Sequence, residues 1–176
     1  MSAPRPTIRP AHPAIRPAHL TIRPAHPVIR PAHHTEASRL SALALHAKAH
    51  WGYSPAFMQA CRAELTVSSE QIAQGIFVVA EIAQDVVGCY ALLAAAPDEW
   101  ELDALFVEPA WIRTGIGRRL LDHARIGAAT AGATSLVIQA DPNAAPFYVA
   151  AGAIPNGMRP SASIANRLLP VFRLAL

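Results

Sequence analysis

Cysteine is scarce in this chain, since only Cys61 and Cys89 occur among 176 residues. They lie in helix-like and strand-like sequence and lack the spacing of metal ligands, which argues against a disulfide framework and against a zinc site. We expect two reduced, buried thiols, as is typical of a cytoplasmic protein.

Long hydrophobic runs are also lacking, although 52% of the residues are hydrophobic. No stretch reaches the roughly 18 consecutive apolar residues that a membrane-spanning helix needs. A chain of this length suits one domain and can bury a substantial core. We therefore predict one folded domain and no membrane partner.

Asp and Glu are missing from residues 1–27, a segment that contains four arginines. The whole chain has a formal charge of +3, so taking away those four positive charges leaves −1 for residues 28–176. The basic character therefore belongs to a tail and not to a binding face, and we expect no nucleic acid partner.

The tail contains a short repeat, because residues 7–34 form four near-identical heptads built on Ile-Arg-Pro-Ala-His. Proline in every copy prevents a continuous helix and interrupts a central strand. Residues 1–27 are therefore predicted to be a disordered tail and residues 28–176 the folded domain. A metal-binding tail is the alternative, since each copy carries one histidine, but histidines seven residues apart on a flexible chain form a weak site.

Helix and strand signals fill the rest of the chain. Caps and apolar faces predict helices over 35–49, 54–65, 115–131 and 141–151. Apolar and β-branched runs predict strands over 28–32, 75–82, 86–93, 100–107, 135–140 and 169–176. The second and third of these strands are predicted to form an antiparallel hairpin, and turn residues predict an irregular segment over 155–170.

The stretch Phe106–Leu121 leads from an apolar strand into a helix that begins at Gly-Ile-Gly. The first turn of a helix leaves N–H groups unpaired, and Gly115 and Gly117 would allow an anionic group to approach them closely. The pattern favours a phosphate site. Glycines at a strand-to-helix turn also serve simple chain reversal, so the pair alone does not decide between the two.

The order of elements, the glycine pair after the fourth strand and the downstream Asn143, Tyr148 and Gly152 resemble the GNAT superfamily of acyl-CoA-dependent N-acetyltransferases. The resemblance covers residues 28–176 and implies an α/β domain with a mixed, mostly antiparallel sheet flanked by helices. It implies acetyl-CoA as co-substrate, no metal, and direct attack by a primary amine of a small molecule or a peptide amino terminus. Two chains commonly pair through the last strands in that family, so a homodimer stays open.

The resemblance also assigns the residues that contact coenzyme A. The loop that holds the pyrophosphate in the family matches Arg113, Thr114, Gly115, Ile116, Gly117 and Arg118. The family usually has Arg or Gln three residues before the first glycine, where this chain has Ile112, so the backbone cradle is expected but a side-chain role of Arg113 is in question. The positions near the acetyl thioester are Phe106, Val107, Asn143, Phe147 and Tyr148, with the N–H of Val107 polarising the carbonyl.

Acetyl transfer needs a neutral amine, stabilisation of the oxyanion and a proton for the leaving thiolate. Tyr148 is the predicted general acid, with aromatic packing as the alternative. Strict alternation would place Glu101, Asp103, Leu105 and Val107 on one face of the strand. Glu101 matches the base position of the histone-acetylating branch and is the predicted base, directly or through water. Asp103 is the second candidate. Alternatively, both acids orient a cationic substrate or simply face solvent, and ordered water alone deprotonates the amine, as in many members of the family.

Acceptor binding is predicted for Trp51, Tyr53, Glu81 and Asp103, with Arg30 as a further candidate. Trp51 and Tyr53 could instead hold the first two helices together. The irregular segment 155–170 is expected to cover the acceptor side, and His123 is expected to be solvated. The alternative function is a non-catalytic acyl-CoA-binding regulatory module, which would keep the cradle and lack the chemistry.

Overall fold

The computed structural model describes residues 26–75 and 77–176, so the predicted tail lies outside the described residues except for positions 26 and 27. The strands are β1 (Val28–Pro31), β2 (Phe77–Ile82), β3 (Asp85–Ala96), β4 (Glu99–Val107), β5 (Ser135–Gln139), β6 (Ile154–Pro160) and β7 (Leu168–Ala175). The helices are α1 (Ala37–Ala49), α2 (Pro55–Ala60), α3 (Ser69–Ala73), α4 (Ile116–Thr130) and α5 (Ala145–Ala150), with 3-10 turns at His34–Glu36, Pro109–Trp111 and Pro142–Ala144. None of these helices combines the length and the apolarity needed to cross a membrane.

The strands form one mixed sheet in the order β1-β2-β3-β4-β5-β7-β6. Every neighbouring pair is antiparallel except β4 and β5, which run parallel. Pairing between β4 and β5 extends from Glu99↔Ser135 to Glu101↔Val137 and ends there, although β4 continues to Val107. The two central strands therefore separate, and a gap opens between them toward the C-terminal end of β4. This is the predicted fold class.

Helices cover both faces of the sheet. The apolar stripe of α4 buries Ile116, Leu120, Leu121, Ala124 and Ala128, the spacing of a helix that packs on one side. On the opposite face, α1 packs against β3 and β4 and belongs to a second cluster of buried residues that also contains Cys89. Both cysteines are buried and unbonded, as predicted.

Gly88 on β3 permits the close approach of α4. A Cβ atom at this position would lie 2.9 Å from Leu120 Cδ1 and 3.0 Å from the carbonyl oxygen of Phe106. Glycine is therefore required at this position, because even a methyl side chain would be too close to these atoms.

Two elements differ from the sequence prediction. The second helix ends at Ala60, before the predicted end, and the extra helix α3 follows it, with a capping box between Ser68 and Gln71 at its start. The predicted irregular segment contains β6, an exposed edge strand that pairs with β7. Its two prolines are tolerated because an edge strand does not need every N–H in a ladder, and Gly157, with φ of 89°, lies within the register shift.

Candidate functional site

A cavity of about 270 Å³ lies in the gap between the separating strands. Its walls are formed by residues 102–107 of β4, residues 139–141 at the end of β5, the end of α1, the start of α4 and α5. Most of its surface is apolar, and its polar groups come from different elements. The gap between the strands therefore forms a ligand-sized site that connects the two faces of the sheet.

The backbone of β4 presents hydrogen-bonding groups to this cavity. The N–H of Glu108 donates to the carbonyl of Val87 on β3 at 2.9 Å. Since successive residues of a strand point to opposite sides, the N–H of Val107 points away from β3, toward the side that β5 has left. Val107 and its neighbour Phe106, which the resemblance places near the acetyl thioester, both line the cavity.

The start of α4 is open. Gly115 is its N-cap with φ of 91°, and no side chain caps the helix. The first hydrogen bond of the helix runs from the N–H of Arg119 to the carbonyl of Gly115 at 3.1 Å, which leaves the N–H groups of residues 116–118 directed out of the helix end. Gly117 lines the cavity itself. The backbone of this turn can therefore hold an anionic group.

The side chains of the same loop are directed elsewhere. Arg113 adopts a left-handed backbone conformation with φ of 65°, and the hydroxyl of Thr114 donates to the carbonyl of Trp111 at 2.6 Å. Ile116 is buried in the core, and Arg118 pairs with Asp122 one helical turn later at 3.1 Å. What the loop offers to a ligand is mainly backbone.

Tyr148 is buried and lies between Phe147 and Phe172, with ring centroids 5.1 Å and 6.2 Å away. Its hydroxyl bonds to no other described residue, yet the described residues include no buried side-chain polar atom without a partner. The hydroxyl therefore opens into the cavity that Tyr148 lines. Burial raises the pKa of the phenol above its usual value, so the hydroxyl carries its proton at neutral pH.

A β-bulge separates the two candidate bases. Ala91 pairs with Ala104 and the next residue, Leu92, pairs with Leu102, so Asp103 is an extra residue on β4. The bulge reverses the alternation of side chains. The prediction that Glu101 shares a face with Val107 is therefore wrong, because Leu102, Leu105 and Val107 pack in one core cluster.

The environments of these two carboxylates also differ. Glu101 is bound to Arg159 of β6, with Nη1 and Oε1 2.9 Å apart, and does not line the cavity. Asp103 lines the cavity and has no ion-pair partner among the described residues. Although Asp103 is exposed, partial loss of hydration and then the negative charge of Glu101 raise the pKa of its carboxyl. Of the two carboxylates, that of Asp103 is therefore better placed to contact a ligand in the cavity.

The predicted acceptor residues occupy different places. Trp51 lines the cavity and is 39% exposed. Tyr53 does not line it, and its ring stacks on Phe57 of α2 at 4.1 Å. The Tyr53 hydroxyl donates to Asp141 at 2.9 Å, so this side chain connects α2 with the end of β5.

Glu81 and Arg30 lie outside the cavity, contrary to the prediction. Arg30 Nε donates to Glu81 at 2.8 Å, and Nη2 donates to Glu36 at the same distance. These residues belong to the β1–β2 edge, which β3 separates from β4. His123 is exposed on α4, as predicted, and its Nδ1 lies 2.8 Å from the hydroxyl of Tyr90.

Asp141, Lys48 and Arg167 were not singled out from the sequence, although the first two line the cavity. Lys48 Nζ donates to the Asp141 carboxylate at 2.8 Å, and the backbone N–H of Asn143 donates to it at 3.0 Å. Burial opposes ionisation of Asp141, but these donors hold its pKa below the usual value. Asp-Pro-Asn in the sequence signalled a helix start, whereas the partner Lys48, 93 residues away, had no local signal.

Asn143 lines the cavity with its side-chain nitrogen already engaged. This nitrogen donates to the hydroxyl of Tyr53 and to Oδ1 of Asp141, each at 3.1 Å. A ligand would therefore meet the amide oxygen of Asn143, which can accept a hydrogen bond.

Comparison with known proteins shows what this chain is similar to. Residues 73–152 match the family model described as an acetyltransferase (GNAT) domain. The search of curated protein sequences returned no match.

Solved structures share the fold over most of the chain. A GCN5-related N-acetyltransferase from Rhodopseudomonas palustris is 21% identical, with 87% of this chain and 98% of that chain covered and a TM-score of 0.70. The paiA N-acetyltransferase from Thermoplasma acidophilum, in complex with coenzyme A, is 18% identical, with 86% and 100% covered and a TM-score of 0.68. The yncA protein from Salmonella typhimurium, with its cofactor acetyl-CoA, is 18% identical, with 86% and 94% covered and a TM-score of 0.62.

Proposed function

Since this chain has the GNAT fold and residues 73–152 match a GNAT acetyltransferase domain, we propose that it transfers an acetyl group from acetyl-CoA to a primary amine of a small molecule or a peptide amino terminus. The observation that carries the proposal is the cavity between β4 and β5. An open helix start, a strand N–H and a protonated phenol converge on that one cavity. These are the groups that acyl transfer from a thioester requires.

The start of α4 fits the pyrophosphate of the co-substrate. Backbone N–H groups and the positive end of the helix dipole favour an anion there, and residues 115–118 supply both. The absence of a polar side chain at Ile112 leaves this cradle intact, because the donors belong to the backbone. Because Gly117 has no side chain, no atoms project between the helix start and the apolar part of the cavity.

The acyl step uses the groups around the strand gap. The amine nitrogen attacks the thioester carbon in a ternary complex, a C–N bond forms, and the N–H of Val107 donates to the developing oxyanion. The C–S bond then breaks, the Tyr148 hydroxyl gives its proton to the departing thiolate, and the surplus proton of the attacking nitrogen restores the phenol. The raised pKa of Tyr148 suits this role, because the phenol is protonated at neutral pH.

Asp103 is the proposed base in place of Glu101. Its carboxylate lines the cavity and has a raised pKa, and it can take the proton of the ammonium directly or through water. Glu101 is held by Arg159 outside the cavity. Trp51 forms part of the wall that the acceptor would contact.

The test measures thiol release from acetyl-CoA with a panel of amines for the wild type and Tyr148→Phe. We expect kcat to fall by roughly 100-fold in the variant, the scale of general acid catalysis, while calorimetry shows unchanged affinity for coenzyme A. Tyr90→Phe is the matched control, since Tyr90 is a buried tyrosine outside the cavity lining. Tight binding of acetyl-CoA without turnover of any amine would instead identify a regulatory acyl-CoA-binding module.

A further inference from the structure

A cluster of aromatic and charged side chains lies beside the cavity at the end of α1, and two of its members, Lys48 and Asp141, line the cavity. We call Lys48, Tyr53, Phe57, Asp141 and Arg167 the aromatic-cation cluster. Lys48 Nζ lies 5.5 Å from the centroid of the Tyr53 ring, and Arg167 Cζ lies 4.8 Å from that of Phe57. The Lys48 and Arg167 side chains are only 13% and 18% exposed. Two cations are thus held close together with little access to water.

The cluster contains more positive than negative charge. Asp141 is its one carboxylate, with Lys48 Nζ at 2.8 Å and Arg167 Nη2 at 3.7 Å. Tyr53 is neutral, because its hydroxyl donates to Asp141. The sum is one uncompensated positive charge in a partly dehydrated place, which is unfavourable unless an anion arrives.

Arg167 also has unused hydrogen-bond donors. Its Nη2 donates to the Tyr53 hydroxyl at 2.9 Å, while its Nε and Nη1 have no hydrogen-bond partner among the described residues. Arg30 shows the contrast, since its Nε, Nη1 and Nη2 all donate to Glu81, Glu36 or the carbonyl of Pro31. Arg30 is a structural arginine, whereas the guanidinium of Arg167 keeps a planar pair of N–H donors available for a ligand. That pair matches a carboxylate.

The cluster lies at the same cavity as the proposed base. Lys48 and Asp141 line the cavity, as does Leu169, two residues after Arg167. Asp103 lines it as well, on β4. One cavity therefore carries a cationic group for an anion and a carboxylate for an amine.

We propose that Lys48 and Arg167 bind a carboxylate of the acceptor, so that the acceptor is an amino acid or another small amine with a carboxylate. This inference rests on the proposed acetyltransferase function and narrows its substrate class. The ammonium end of the acceptor is directed to Asp103, and its carboxylate to the aromatic-cation cluster. A peptide amino terminus or a simple alkylamine offers no such carboxylate at short range.

The first experiment compares matched acceptors on the wild-type full chain with acetyl-CoA. Each of a panel of amino acids is paired with its amide, and leucine is also compared with isoamylamine. We expect kcat/KM to be at least about 10-fold higher for the best amino acid than for its amide, the size of a charge-assisted hydrogen bond. Equal or better use of the amides and of isoamylamine would overturn the proposal. It would favour a cationic acceptor held by Asp103 and by Glu64, a further carboxylate that lines the cavity.

The second experiment uses Arg167→Gln and Arg167→Lys. For the preferred amino acid, Arg167→Gln should raise KM by roughly 10-fold to 100-fold and leave kcat/KM for its amide within about 3-fold, and Arg167→Lys should recover part of the loss. The matched control is Arg62→Gln, since Arg62 is an exposed arginine just after α2. Equal losses for acid and amide would show a merely structural role and contradict the inference.

A binding measurement separates this inference from the proposed function. The same amino acids and amides are titrated calorimetrically into the complex with coenzyme A, where no turnover occurs. Binding of an amino acid, weakened in Arg167→Gln and absent for its amide, would support the carboxylate site even if no amine were acetylated. Turnover of amides or alkylamines without a preference for amino acids would support the proposed function and contradict the carboxylate site.

Discussion

Asp103 and Glu101 are two residues apart on β4, yet only Asp103 faces the cavity. The reason is the bulge at Asp103, which adds one residue to β4 and reverses the side-chain alternation at that point. Glu101 is then bound by Arg159 on β6, which fixes its carboxylate away from the cavity. A single extra residue thus places two similar side chains in different surroundings.

The first prediction compares Asp103→Asn with Glu101→Gln. Asp103→Asn should lower kcat by roughly 100-fold, the usual scale for loss of a general base, while Glu101→Gln should stay within about 3-fold. Because the base acts when deprotonated, the wild-type rate should rise with pH through the pKa of Asp103, which lies above the ordinary value for aspartate. That acidic limb should vanish in Asp103→Asn. The assignment is wrong if Glu101→Gln shows the larger loss.

At the scale of elements, the start of α4 combines open N–H groups with a residue that lacks a side chain. A Cβ atom on Gly117 would lie 3.6 Å from ring atoms of Phe147 and from Val107 Cγ2. These are ordinary contact distances, so alanine fits. A branched side chain would extend into the cavity beside the cradle.

We therefore predict that Gly117→Val weakens coenzyme A binding by at least about 10-fold, roughly 1.4 kcal/mol, with little change in melting temperature. Calorimetry and thermal unfolding measure the two quantities. Gly127→Val is the matched control on the same helix, since a Cβ there meets only the Tyr90 hydroxyl, at 3.9 Å. Unchanged affinity in Gly117→Val would show that the coenzyme binds elsewhere.

A second glycine determines how α4 packs on the sheet. Gly88→Ala would bring Cβ to 2.9 Å from Leu120 Cδ1 and 3.0 Å from a backbone carbonyl, which cannot move without disturbing the β3–β4 pairing. We expect the free energy of unfolding to fall by about 1–3 kcal/mol in urea denaturation. Gly127→Ala should instead raise it by about 0.5–1 kcal/mol, as expected for an exposed glycine within a helix. Equal free energies of unfolding for Gly88→Ala and the wild type would show that the sheet and α4 move apart at no cost.

At the scale of the whole molecule, Asp141 connects parts of the chain that are distant in sequence. Through Lys48, Tyr53 and Arg167 it links α1, the loop before α2 and the start of β7 to the end of β5. The folded state holds the pKa of Asp141 below its unfolded value. Its contribution to stability is therefore present above the unfolded pKa and is lost as pH falls through the folded one.

The corresponding prediction concerns Asp141→Asn. At pH 7 the variant should be less stable than the wild type by about 1–3 kcal/mol, and the difference should shrink as pH falls below about 4, the ordinary pKa of aspartate. Urea unfolding at a series of pH values measures this. Asp122→Asn is the control, because Asp122 forms an exposed pair within α4. A difference that stays constant with pH would refute the assigned linkage.

The sequence by itself determined the elements whose signals are local. The apolar spacing of Leu120, Leu121 and Ala124 marks α4, and Gly115 and Gly117 mark the open start of that helix, because periodicity and glycine conformation act over a few residues. The order of these elements, with Tyr148 and Gly152 downstream, was enough for the GNAT fold, which the structure and the comparisons confirm.

Only the tertiary structure decided what depends on partners far along the chain. The bulge at Asp103 exists in the pairing of β4 with β3, and the edge strand β6 exists through β7. The contact between Lys48 and Asp141 joins residues 93 positions apart. Such pairings follow from packing of the whole domain and leave no periodic trace in the local sequence. The open start of α4 could therefore be predicted, whereas the position of Asp103 at the cavity and the aromatic-cation cluster could not.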